Sequence, residues 1–157
     1  MMSFSIIKKP EGSSLVLELK GPIDEDANFN PPDIGAHSSV VLDLNHVSAI
    51  NSVGIREWIK WIKGFPGSVK LSVRHCPKII VDQINMVAGF LPPGTTVQSF
   101  FVPYYSDSSG NEKMVLFENG REFKDGQVFP PAEVKDDSGE LMEMDVIEAK
   151  YFKFLNG

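Results

Sequence analysis

A single cysteine, Cys76, stands in a chain of 157 residues. One thiol excludes an internal disulfide and leaves too few ligands for a structural zinc site, in keeping with a reducing compartment. Long apolar runs are missing too. None approaches the roughly 20 residues that span a bilayer, and residues 1–12 lack the basic-then-apolar order of a secretion signal. The expectation is a cytoplasmic chain with no membrane partner. Positive charge is scarce: 15 Lys and Arg stand against 21 Asp and Glu, for a formal net charge of −6. Phosphate backbones attract basic surfaces, so nucleic acid is not an expected partner. What the chain does have is apolar content, 42% of its residues, enough for one ordinary core with a small appendage.

The first hundred residues alternate in type. In "SLVLELK", Leu15, Leu17 and Leu19 fall on one face and Val16, Glu18 and Lys20 on the other, the period-2 signature of a strand. Residues 4–8 are expected to pair with it through the turn "KPEGSS". "VVLDL" is apolar on both faces apart from Asp43, which predicts a central strand covered on both sides. Ile55, Trp58, Ile59 and Ile62 then recur at i, i+3, i+4 and i+7, while Arg56, Lys60 and Lys63 line another face. That spacing predicts a helix of about three turns ended by Gly64. "SVKLSVR" reads as another strand, "PKIIVDQINMVAGFL" as a second helix with Ile80, Ile84, Val87 and Leu91 as its stripe, and "TTVQSFFV" as a last strand. The order implies an α/β fold with a mixed sheet and right-handed crossovers.

Two motifs carry a resemblance. Gly21, Pro22, Ile23 and Asp24 follow the second strand; Asp43, Leu44 and Val47 then lead to Asn51, Ser52, Val53, Gly54 and Ile55. This arrangement, over about residues 4–102, resembles the STAS family, shared by sulfate transporters and bacterial anti-sigma factor antagonists. The resemblance implies a protein-binding regulator rather than an enzyme, with no cofactor and no metal. Its implied partner is an anti-sigma factor or serine kinase, and its implied role is partner switching in transcription regulation. In the antagonists the serine after an acidic residue is phosphorylated by the partner kinase, which abolishes binding. Ser52 occupies that place. The contact surface so implied comprises Asp24, Asn51, Ser52, Val53, Gly54 and Arg56. The chain departs from the pattern at Asn51, where the antagonists carry aspartate, and a kinase that depends on that carboxylate would miss it.

Physical chemistry offers a second reading of the same serine. Ser52 lies where a helix N-cap is expected, and serine is a common cap whether or not anything modifies it. A phosphate there would meet free amides and the helix dipole. Asp24 is either a partner contact or a turn residue bonding its own backbone. Trp61 and Phe65 fall off the helix stripe; either they anchor a partner or the C-terminal extension covers them. Cys76 before the second helix reads as a small buried residue, the alternative being a thiol activated by the helix N-terminus.

Residues 103–157 differ in kind from residues 1–102, and the two ranges are expected to be a small C-terminal module and a main domain. Residues 114–117 and 121–123 predict a hairpin turning at Asn119 and Gly120. Asp145 and Glu148 predict the start of a helix running through Leu155. The layout resembles a small zinc ribbon whose knuckles are Ser106 with Ser109 and Lys135 with Ser138. None of these four is cysteine, so the resemblance implies a ribbon that has lost its metal. The plainer reading is a β-rich extension. On either reading, apolar packing must hold the module together.

Overall fold

The computed structural model describes residues 3–31 and 33–156. It is a mixed α/β fold with a five-stranded mixed sheet, three helices, and a β-rich C-terminal part that ends in a helix. The first strand, β1 (Ser5–Glu11), pairs antiparallel with β2 (Ser14–Ile23) through a tight turn at Gly12, whose φ of 63° suits glycine. Next come β3 (Ser39–Ile50), α1 (Ser52–Ile62), β4 (Lys70–Arg74), α2 (Lys78–Met86) and β5 (Thr96–Val97). The strand order β1-β2-β3-β4-β5 is parallel from β2 onward, so "VVLDL" is central as expected.

Only one face of this sheet enters the core. Leu15, Leu17, Leu19, Val40, Leu42, Leu44, Leu71 and Val73 join Trp58, Ile62, Ile80 and Val81 of the helices in a single apolar cluster. Val16 and Val41 are equally buried yet lie outside that cluster. They alternate to the other face, among polar side chains: Ser14 donates to Ser39, Lys9 and Lys20 pair with Glu18, and Arg74 pairs with Asp43. The expectation of cover on both sides is therefore corrected. Long charged side chains on a sheet face hide short valines beside them without a second layer.

The segment read as one last strand is two. It breaks at Gln98, whose amide donates to Val73 O while its carbonyl accepts from Asn119 N. Beyond the break, β6 (Ser99–Tyr105) still follows the main sheet for a few residues: Phe100 bridges Cys76, and Phe101 N donates to Cys76 O. It then becomes the middle strand of a second sheet, between β10 (Glu143–Met144) and β7 (Glu112–Glu118). The boundary expected at Val102 thus falls inside β6. Phe100 lies at the junction, wholly buried, with Phe117, Phe123, Tyr151, Phe152 and Phe154 around its ring.

The expected hairpin at Asn119 and Gly120 does not form. All seven residues of β7 pair back onto β6, and Phe117 stacks into the core opposite Phe100. A three-residue return strand offers too short a ladder to compete. The two-residue hairpin instead joins β8 (Phe123–Lys124) to β9 (Gln127–Val128) through Asp125 and Gly126, both at positive φ, as a type I′ turn requires. The last helix is shorter than expected. α3 covers Glu148–Tyr151 and passes into a 3₁₀ turn at Lys153–Asn156. Its N-cap is Ile147, without a side-chain cap, because Asp145 belongs to the sheet edge and donates its amide to Pro103 O.

The two knuckle turns do face each other, and a carboxylate joins them. Asp136 accepts from the Ser109 hydroxyl, from Asn111 Nδ2 at 3.0 Å, and from the amides of Ser138 and Glu140 at 2.9 Å each. The Ser109 hydroxyl foremost, together with the two amides and Asn111, outweighs desolvation and holds the carboxyl at about 2. Among the described residues no group of three or more His, Cys, Asp or Glu is placed to hold a metal ion.

Candidate functional site

The parallel strands β2 and β3 end side by side, Ile23 opposite Ile50, and the chain leaves each of them on the same rim. From β3 it turns at once into α1. Asn51, extended at φ −120°, is the N-cap: its Oδ1 accepts from Gly54 N at 2.9 Å. Ser52 is therefore the first helical residue, not the cap. The preference of asparagine for the N-cap equals that of serine, and only the residue one place earlier has the extended backbone a cap needs. The consequence is chemical. The Ser52 hydroxyl is spared from capping and exposed, and the Ser52 and Val53 amides have no acceptor among the described residues.

Two further bonds fix the rim. Asn51 N donates to Ile23 O at 3.2 Å, and Asn51 Nδ2 donates to Glu25 Oε2 at 2.8 Å. The bond from Asn51 holds the Glu25 carboxyl below its ordinary value. Asp24 takes the turn role: its Oδ1 accepts from Asp26 N at 2.9 Å, and its carbonyl accepts from Ala27 N. Sequence reasoning missed Glu25. The only signal for it was the acidic run Asp24-Glu25-Asp26 directly after β2.

Gly54 differs from the other residues expected at a contact surface, because it is buried. A Cβ there would fall inside the van der Waals envelope of the Ile23 carbonyl oxygen. Its lack of a side chain lets α1 rest on the end of β2, a packing role beneath the surface. Val53 is half-buried, and Arg56, one turn along α1 from Ser52, is exposed. The structure thus gathers Asn51, Ser52, Glu25 and the Asp24 turn at one rim, with Arg56 on the flank.

Trp61 is not a contact residue. It is buried, but by the β2–β3 connection rather than the C-terminal extension: Trp61 Nε1 donates to Asn30 O at 2.8 Å, and the rings of Phe29, Trp58 and Phe65 surround it. Trp58, fully buried, donates to Phe90 O and stacks on the Phe90 ring.

A second polar cluster lies on the open face of the sheet. Asp43 accepts from Asn45 N at 3.1 Å and Arg74 Nε at 3.0 Å, and meets His75 Nδ1 at 3.2 Å. Burial raises the Asp43 carboxyl, but Asn45, Arg74 and His75 together outweigh it and hold the carboxyl below its ordinary value. His75 adopts a left-handed backbone with φ 54° and donates its amide to Ser99 Oγ. These groups satisfy one another. Cys76 beside them is wholly buried, and burial pushes its thiol far above the ordinary range, which makes it a poor nucleophile. Comparison of the sequence with models of known protein families returned no match, and comparison with curated proteins returned none either.

Proposed function

We propose that the chain is a STAS-type regulator that binds a protein partner at the Ser52 rim, in the manner of anti-sigma factor antagonists, and releases it when Ser52 is phosphorylated. The observation that carries this reading is the position of Ser52. An exposed hydroxyl stands at the first residue of α1, above two amides without an acceptor among the described residues, on a rim braced by Asn51 and Gly54. A kinase can reach such a hydroxyl. A phosphate on it gains from the helix amides and adds a charge of about −1.5 to −2. Next to it, Asn51 holds the Glu25 carboxylate, and that carboxylate would repel the new charge. Phosphorylation would then act twice, by placing charge at the contact and by loosening the Asp24–Asp26 turn.

The bond from Asn51 to Glu25 also favours a second reading, a constitutive scaffold. It occupies the cap side chain that a kinase would read, and it keeps an acidic group beside the serine in the unmodified chain. One experiment separates the two. Wild type, Ser52→Ala and Ser52→Asp serve as baits in lysate of the native cell, with mass spectrometry of the wild-type chain for phosphoserine. The switch predicts a partner retained by wild type and Ser52→Ala and lost with Ser52→Asp. Equal recovery by all three, with no phosphate on Ser52, leaves the scaffold.

A further inference from the structure

The charge of the chain is unevenly divided. Residues 1–102 hold nine Asp and Glu against nine Lys and Arg, whereas residues 103–157 hold twelve against six, so the whole excess of −6 resides in the C-terminal part. Part of that excess rims one surface. In the sheet β10-β6-β7, Phe100, Val102, Tyr104 and Phe117 turn into the core, which sends Phe101, Pro103 and Tyr105 to the opposite face. Directly across from these three on β7 are Leu116, Met114 and Glu112, and across from Tyr105 on β10 is Glu143. Directly opposed residues share a face. The result is an apolar strip, with Met114 48% exposed, that ends at Glu112 and Glu143. Asp145, bonded through its amide to Pro103 O, stands beside it, and a cavity of about 290 Å³ opens among Pro103, Tyr104, Glu112, Lys113, Met114 and Asp145.

Carboxylates outnumber cations at this rim: Glu112 and Asp145 line the cavity with Lys113, and Glu143 and Asp107 stand nearby. Among the described residues Asp107, Glu112, Glu143 and Asp145 make no ion pair. The nearby cation, Lys113, donates to Lys135 O. The field of three of the carboxylates is felt by Tyr105, whose hydroxyl is raised above its ordinary value by Asp107 first, then by Glu143, desolvation and Asp145. We infer that this face docks a basic segment of a partner protein, one in which Lys or Arg flank a single aliphatic or aromatic anchor that enters the cavity. The sign of the rim repels phosphates and anionic lipid, and it repels a second copy of the same face. A cavity of this size, at the lower end of the range for ligand sites, accommodates one large side chain. The surface shares no residue with the Ser52 rim, and the inference stands whether or not that serine is modified.

The test is a titration of ¹⁵N-labelled full-length chain with a synthetic heptapeptide, Gly-Lys-Lys-Phe-Lys-Lys-Gly, followed by amide chemical shifts. The expected shifts centre on residues 101–105, 112–116 and 143–145, and they weaken as salt is added. A matched peptide with Ser in place of Phe, and one with Glu in place of Lys, are each expected to bind at least about tenfold more weakly. Each exposed charge contact is worth roughly a factor of two to five, so Glu112→Lys with Glu143→Lys and Asp145→Lys is expected to weaken binding about tenfold or more. Met114→Asn, at a half-exposed position, does the same through the anchor and is read if the triple variant misfolds. The inference is overturned by shifts centred elsewhere, by no binding at millimolar peptide, or by variants that bind as wild type does. It is also overturned by a dimer in sedimentation that the triple variant disperses, since that would make the face a self-interface.

Discussion

Gly54→Ala is expected to be costly out of proportion to one methyl group. The added Cβ would overlap the Ile23 carbonyl oxygen and come within 3.0 Å of Asp24 N. Neither atom can swing aside, because both are backbone at the end of β2, which is laddered to β3 at Ile23 and Ile50. Relief requires the first turn of α1 to lift off the strand. Overpacking of this kind costs roughly 1–3 kcal/mol. The lift also stretches the 3.2 Å bond from Asn51 N to Ile23 O, and a weakened backbone bond adds about 1 kcal/mol. A total of about 2–4 kcal/mol corresponds, at roughly 2–4 °C per kcal/mol for a chain of this length, to a melting temperature lower by about 5–15 °C. Gly67→Ala is the control. Gly67 has open space where a Cβ would go and no left-handed φ, so its substitution is expected to be neutral or to stabilise by up to about 1 kcal/mol. Circular dichroism melts of both variants beside wild type decide the matter. A Gly54→Ala chain that melts within about 2 °C of wild type would refute the reasoning, since the helix would then have room the geometry denies.

The Asp136 link should be sensitive to acid. Its carboxyl is depressed from 3.8 to about 2, so its stabilising bonds are complete above the ordinary value and are lost as pH falls through the folded one. Over that window the melting temperature of wild type should fall more steeply than that of Asp136→Asn, and parallel curves would contradict the link. Cys76 should resist thiol reagents in the native chain at pH 8 and react fully in guanidinium; native-state labelling at the rate of free glutathione would show that the site opens. Truncation after Val102 cuts β6 and strips Phe100 of Phe117, Phe123 and Phe152. The shortened chain should aggregate, and a monomeric product melting at the full-length temperature would show the C-terminal part to be an independent appendage.

Where a pattern was local and repeated, the sequence was legible. The leucines of β2 and the stripe of α1 each repeat a period often enough to fix type and inward face, whereas the unbroken run of β3 fixed the strand but not which face is covered. Position within a short motif was harder to read. Asn51 and Ser52 have equal claims to a cap by type, and the difference between them is a backbone angle that depends on where β3 ends. The role of Gly54 was hidden for another reason, since it depends on a contact with Ile23, distant in sequence. In the C-terminal part the pairing of β7 was decided by Phe117 meeting Phe100, a tertiary contact that overrode the local turn signal at Asn119 and Gly120. The Asp125–Gly126 turn, by contrast, was readable from "KDGQ" and was overlooked. The cover of Trp61 was not legible, because Phe29, its actual neighbour, lies in a connection with no periodicity at all.

Because β6 closes the open side of one sheet and forms the middle of another, the order of synthesis matters to this chain. A ribosome delivers β1 to β5 first, and for that interval the margin of the main sheet next to Cys76 has no partner for its backbone groups. Bare strand margins recruit other chains. The exposed interval ends only after residues 99–105 have emerged and β7 has followed to hold them. A pause that holds residues 99–118 inside the ribosome should therefore raise the yield of aggregated chain above that of the same chain translated without one.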